Sequence, residues 1–244
     1  MMTTNHMKQL KSGLNIFDLL FFVFLFISVI VSIISIKRDL VYVMPLTIVC
    51  VCLSYIYQKK NNSNFVYIFG LLVLLVSDVL ASLDFQTHFI YITILTTIYL
   101  ICSTYAIRGY VTKEKLKSIL SFTTFLTVGL LSYIIYILID LLFSVLPGNT
   151  MFLVFTATIC LIVFLITIAF IYIGYNYKTG TMLLTSGLFC FFQVSLSIIN
   201  EFLHYNKTFV TIIMICHTLA VYLLKSFLVS TNPLKKEEII NKFI

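Results

Sequence analysis

The stretch GLLVLLVSDVLASLDF, Gly70 to Phe85, sets one aspartate, Asp78, inside an apolar run of membrane-spanning character. A charge at the centre of a spanning helix costs roughly 2.5–3.5 kcal/mol on insertion scales. Asp78 therefore implies two things: the run is a helix in lipid, and one of its faces turns inward to find the carboxyl a partner. Gly70, Ser77, Asp78, Ala81 and Ser82 recur at helical spacing on a single face, with Leu and Val opposite. Small residues on that face let a neighbouring helix approach closely.

The rest of the chain asks for the same solvent. Of its 244 residues 61% are hydrophobic and only 10% charged, and mean hydropathy is +1.08. A soluble domain of this size is excluded. The apolar runs are far longer than the roughly 10-residue alternating strands of a membrane barrel, which excludes that class too. Eight segments are long enough, or nearly so, to cross the hydrocarbon, near 14–36, 40–57, 64–83, 88–107, 119–146, 151–174, 181–200 and 208–230. The second is the shortest, and Pro45 near its start marks a helix beginning or a kink. The expected architecture is all-α, a polytopic bundle of eight transmembrane helices over 14–230, with an N-terminal segment 1–13 and a tail 231–244. The longest polar connector, RGYVTKEKLKS, reads as a loop and not as a separate domain.

Charge follows the same alternation. The N-terminal segment, the second, fourth and sixth loops and the tail together hold 12 Lys and Arg residues, against Lys37, Arg38 and Lys207 in the opposite loops. By the positive-inside rule both termini are expected in the cytoplasm, in a membrane of the bacterial inner type. The net charge of +7 is then accounted for by topology, with no nucleic-acid partner implied. The first apolar run is too long for a cleavable signal and is expected to stay as a helix. All six cysteines fall inside predicted spans, where they read as small buried hydrophobes; no metal spacing is present.

Polar residues recur inside other spans. The seventh, SGLFCFFQVSLSIINEF, sets Ser186, Gln193, Ser197 and Asn200 on one stripe, and Gln193 and Asp78 fall at similar depth by helix rise. The fifth offers Tyr133, Tyr136 and Asp140, the fourth Thr96, Thr97 and Tyr99, and the eighth His217. Asp78 fits either a catalytic role or a hydrogen bond between helices, and Gln193, Asn200, His217 and Asp140 are open to the same two readings. Lys225, near the end of the last span, reads as a snorkelling side chain.

In their order, VMPLTIVC, GLLVLLVSDVL and QVSLSIINEF, followed by CHTLAVYLLKSFLV, resemble the motifs of the YhhN family, the membrane lysoplasmalogenases, from about Val41 to Val229. On that resemblance Asp78 matches the family's first aspartate, with Ser77 where glycine is usual, and Ser195, Leu196, Asn200 and Phe202 match the second motif. The chain departs from the pattern where the second aspartate falls on Val194, preceded by Gln193, and where a fourth-helix histidine falls near Thr96, leaving Tyr99. On the last helix the family's tyrosine and glutamine become His217 and Val221.

The resemblance implies hydrolysis of the vinyl ether bond of a lysoplasmalogen, a membrane lysophospholipid, to a fatty aldehyde and a glycerophospho-alcohol. It makes Asp78 the general acid with Gln193 beside it, and Ser77, Tyr99, Asp140, Asn200 and His217 the candidates for holding substrate. Asp140 and Glu201 are the carboxylates available to replace the missing one. Neither metal nor cofactor is implied. The alternative is a non-catalytic lipid-binding or structural protein of the same fold that has lost the second aspartate.

Overall fold

Asn64, one residue ahead of the Asp78 helix, accepts the Val66 amide at 3.0 Å and so starts the helix, and Asn206 does the same for the last helix through Thr208 at 2.9 Å. Between and around these caps the computed structural model describes residues 15–60, 63–111, 122–174 and 177–232, with backbone alone at 122–128 and 149. The predicted segment 1–13, most of the RGYVTKEKLKS loop and residues 233–244 of the tail lie outside the described residues.

Eight α-helices follow in order: α1 Ile16–Ile34, α2 Met44–Lys59, α3 Phe65–Leu83, α4 Phe89–Ile107, α5 Phe122–Val145, α6 Met151–Ile173, α7 Gly180–Phe202 and α8 Lys207–Ser230. No strand occurs among the described residues. Seven helical stretches are long and apolar enough to cross a membrane, and α5 contributes a shorter apolar stretch, Gly129–Val145. The second predicted span is resolved differently from its expected 40–57. A 3-10 turn over Lys37–Tyr42 precedes α2, which begins only at Met44 with Pro45 in its first turn, where a missing N–H costs nothing.

The surface inverts the pattern of a soluble bundle. On α1 the exposed residues are Ile16, Leu19, Phe22, Phe26 and Ile33, whereas Asp18, Phe21, Ser28 and Ser32 are buried. Exposed apolar side chains clothe most of the other helices as well, a surface stable only against lipid. The protein is an integral membrane protein.

Seven helices close a ring: α1 on α2, α2 on α3, α3 on α4, α4 on α6, α6 on α7, α7 on α8, and α8 back on α1 and α2. Outside it, α5 leans on α7 and α6. Lys37, Phe85 and Glu201 meet at one end of the bundle, called the mouth end below. Lys59, Tyr110, Thr179, Thr231 and Asn232 meet at the other. Gly70 sets the α3–α4 spacing: a Cβ there would stand 2.8 Å from the Cβ of Cys102, too close for any other residue. Polar pairs join further helices. Ser32 and Thr211 hydroxyls meet at 3.0 Å between α1 and α8, and Ser186 donates to the Ala220 carbonyl at 2.7 Å between α7 and α8.

Lys225 does not snorkel. It is 2% exposed, and its Nζ donates to Asp18 Oδ1 at 2.7 Å. Ser54 Oγ donates to the same carboxyl oxygen at 2.7 Å, and Gln58 Nε2 to Oδ2 at 2.8 Å. The expectation failed because it took Lys225 without a partner. Asp18, one helix away in space and 207 residues away in sequence, makes burial tolerable by pairing with the charge and accepting a hydrogen bond from it.

Candidate functional site

Asp78 takes its place from the inward stripe of α3, where Tyr67, Gly70, Leu71, Leu74, Ser77, Asp78 and Ser82 are all buried. Across from it α8 presents His217, and the two side chains meet: His217 Nε2 lies 3.0 Å from Asp78 Oδ2. The residues are 4% and 5% exposed. A hydrogen bond between a carboxyl and an imidazole out of contact with water is electrostatically stronger than the same bond at a surface.

The pair lies against empty space. A cavity of about 860 Å3, counted out to its open mouth, is lined by Ser77, Asp78, Ala81 and Ser82 of α3, Thr96 and Tyr99 of α4, Cys190, Gln193 and Ser197 of α7, and Met214 and His217 of α8. Lys37 and Glu201 also line it, and these two form an ion pair of 2.5 Å. Ser77 and Thr96 hydroxyls stand 3.4 Å apart on its wall. Asp78 thus has the imidazole as a partner and lines the cavity as well, an arrangement suited to acid–base work on something bound there.

A second cavity of about 850 Å3 adjoins the first, and Phe85, Ile92, Thr96, Gln193 and Ser197 line both. Its remaining walls are almost wholly apolar: Phe89 and Leu100 of α4, Ile135, Leu138, Ile139 and Leu142 of α5, Val154, Ala157 and Leu161 of α6, and Phe191, Val194 and Ile198 of α7. It exists because α5 stands outside the ring and only leans over the gap. A cluster of Phe89, Leu142 and Val154, with Phe85, Leu146, Ile198 and Phe202 packed on it, forms part of this region. Ser195, whose Oγ has no hydrogen-bond partner, also lines it. Together the two spaces form an amphipathic site, polar at Asp78 and hydrocarbon-like beyond Gln193.

Of the residues singled out from the sequence, Ser77, Asp78, Tyr99, Gln193 and His217 line one cavity. Two do not belong to it. Asn200 is fully buried but serves the α7–α8 turn: its Oδ1 accepts the Asn206 amide at 2.8 Å and its Nδ2 donates to Glu201 at 3.2 Å. Asp140 is exposed on α5 and lines neither cavity, because α5 turns its Leu138 and Leu142 inward instead. Tyr133 and Tyr136 are exposed on the same helix. Lys37 was legible only as a loop charge, yet the 3-10 turn that shortens α2 folds it over the cavity.

Comparison with protein-family models, with curated proteins and with solved structures gives no match. The site is therefore read from its own chemistry. Among the described residues no three His, Cys, Asp or Glu side chains converge as metal ligands would. All six cysteines are free, and only Cys190 lines the polar cavity. What remains is a buried carboxyl–imidazole pair, neutral side chains able to hold a water, and an apolar slot.

Proposed function

We propose that this chain is a YhhN-like membrane protein with eight spans and cytoplasmic termini that hydrolyses the vinyl ether bond of lysoplasmalogens. The observation that carries the reading is the Asp78–His217 contact in the wall of a polar cavity that adjoins an apolar one. An amphipathic ether lipid fits that shape with its alkenyl chain in the slot beyond Gln193 and its enol ether beside Asp78. His217 takes the place of the missing second carboxylate, in preference to Asp140 or Glu201, because it alone touches Asp78.

An enol ether breaks once its β-carbon is protonated. The Asp78 carboxyl gives its proton to that carbon, the double bond supplies the electron pair, and the ether oxygen shares the resulting positive charge as an oxocarbenium ion. The carboxylate left behind faces the cation and stabilises it in a site of low dielectric. A water placed by Gln193 and the Tyr99 hydroxyl adds to the α-carbon and returns a proton to the Asp78–His217 pair. The hemiacetal then collapses to fatty aldehyde and the free glycerophospho-alcohol, so the pair ends as it began.

Purified protein in detergent is expected to release fatty aldehyde from lysoplasmalogen, and Asp78→Asn is expected to lower release by about 10²–10⁴-fold while the protein stays folded. Val194 at the position of the family's second aspartate favours the other reading, a lipid-binding protein without turnover. Folded wild-type protein that binds ether lysolipids and releases no aldehyde would establish that reading and end this one.

A further inference from the structure

The ion pair at the mouth is not used by the chemistry above. Lys37 Nζ lies 2.5 Å from Glu201 Oε1, with side chains 22% and 12% exposed, and both residues line the polar cavity. The two partners are held unequally. Asn200 Nδ2 donates to the Glu201 carboxylate at 3.2 Å and Gln86 Nε2 donates to the Glu201 carbonyl, so two side chains fix its position. Lys37 lies in the 3-10 helix Lys37–Tyr42 with its Nζ 5.4 Å from the centre of the Phe85 ring, a cation beside an aromatic face. An anion held by two further side chains, a cation and an aromatic face thus line one opening.

We propose that Lys37 and Glu201 are the headgroup subsite of the cavity and that they select a zwitterionic phosphoester lipid. Lys37 swings from Glu201 to the phosphate, and the freed Glu201 carboxylate with the Phe85 face takes the ammonium group. The charges match one for one, so no unpaired charge is left at the opening. The spacing matches as well. Along α8 the lining runs from Val210 to His217, seven residues or about 10 Å of helix. From the phosphorus of a lysophospholipid to the far carbon of its first-position enol ether there are seven bonds, about 9 Å at the advance per bond of an extended chain. The proposal sets the phosphate at Lys37 and that carbon beside the Asp78–His217 pair, a span of the same order as this stretch of the lining.

This inference rests on reading the cavity as a lipid site, and its test is binding and not turnover. Chain-matched ester lysolipids, which carry no enol ether, are titrated into full-length protein in detergent: lysophosphatidylethanolamine, lysophosphatidic acid and monoacylglycerol. Wild-type protein is expected to bind the first at least about tenfold more tightly than monoacylglycerol, the scale of one charge-assisted hydrogen bond. Lys37→Gln should remove the advantage of both phosphate-bearing lipids, and Glu201→Gln should erase only the preference for the ethanolamine lipid over the phosphatidic one. Glycerophosphoethanolamine, the same headgroup without a chain, should compete at least about a hundredfold more weakly, since each buried methylene adds to binding. Should a single variant fold poorly, Lys37→Met/Glu201→Leu, which removes both charges at once, should fold and bind all three lipids alike.

Equal binding of the three lipids by wild-type protein, or an unchanged ranking in both variants, would overturn the proposal. Competition by glycerophosphoethanolamine on a par with the lipid would overturn its assignment to a lipid. Headgroup-blind binding together with Asp78-dependent aldehyde release would sink this inference and leave the hydrolase reading. Headgroup preference lost in the variants, with no aldehyde from any ether lipid, would do the reverse.

Discussion

Asp18 and Asp78 are both buried carboxylates in a lipid-facing bundle, and they are finished differently. Asp18 has Lys225, Ser54 and Gln58 donating to its two oxygens. Lys225 and Asp18 line neither cavity. Among the described residues Asp78 has one hydrogen-bond partner, His217, and it borders empty space. A carboxylate holding three donors on its two oxygens, away from either cavity, is a rivet between helices. One with an imidazole partner and a cavity beside it is open to whatever enters that cavity. Burial alone does not separate the two; the saturation of the carboxyl does.

The contrast breaks if the two aspartates fail alike. Asp78→Asn is expected to lower aldehyde release by about 10²–10⁴-fold, the range for a lost general acid, with little change in melting temperature. Loss of folding together with activity would make Asp78 a rivet like Asp18. Lys225→Met should do the opposite, destabilising the protein by about 3–5 kcal/mol through the uncompensated Asp18 charge. Asp18→Asn combined with Lys225→Met should recover most of that loss in a thermal or detergent-unfolding assay, because both charges leave together.

Smaller effects sharpen the same comparison. His217→Gln keeps a hydrogen-bonding group near Asp78 but no titratable one, and activity should fall by about 10²-fold with the pH profile changed in shape. An unaltered profile would show that His217 merely fills space. Gly70→Ala forces α3 away from Cys102 and should destabilise by about 1–3 kcal/mol, the usual cost of overpacking. Asp140→Asn, on the exposed side of α5, should leave turnover unchanged and stability within about 0.5 kcal/mol.

Much of this was legible in the residues. Apolar length and the period of polar positions located the helices, and the small-residue stripe of α3 pointed Asp78 inward. Depth along the helices placed Asp78 and Gln193 on one level, and they do line one cavity. What the sequence hid was neighbourhood. Helical periodicity reports which face of a helix is buried and not which helix covers it, so His217 carried no sign that it would meet Asp78. Lys225 and Asp18 misled for the same reason, although a lysine and an aspartate in the first and last spans, both near one end of the bundle, were a signal that they could neutralise each other. Asp140 was misplaced because α5 turns Leu138 and Leu142 toward the apolar cavity and leaves Asp140 on its exposed side. Asn200 matched a motif yet serves a turn, since the turn needed an acceptor for the Asn206 amide.

The measurement that tests the central claim most directly is fatty-aldehyde release from lysoplasmalogen by purified wild-type, Asp78→Asn and Asp18→Asn/Lys225→Met proteins at matched folded concentration. The account predicts release by the wild type and the double variant and release lower by about 10²–10⁴-fold by Asp78→Asn. Release by Asp78→Asn at the wild-type rate, or no release by folded wild-type protein, would contradict it.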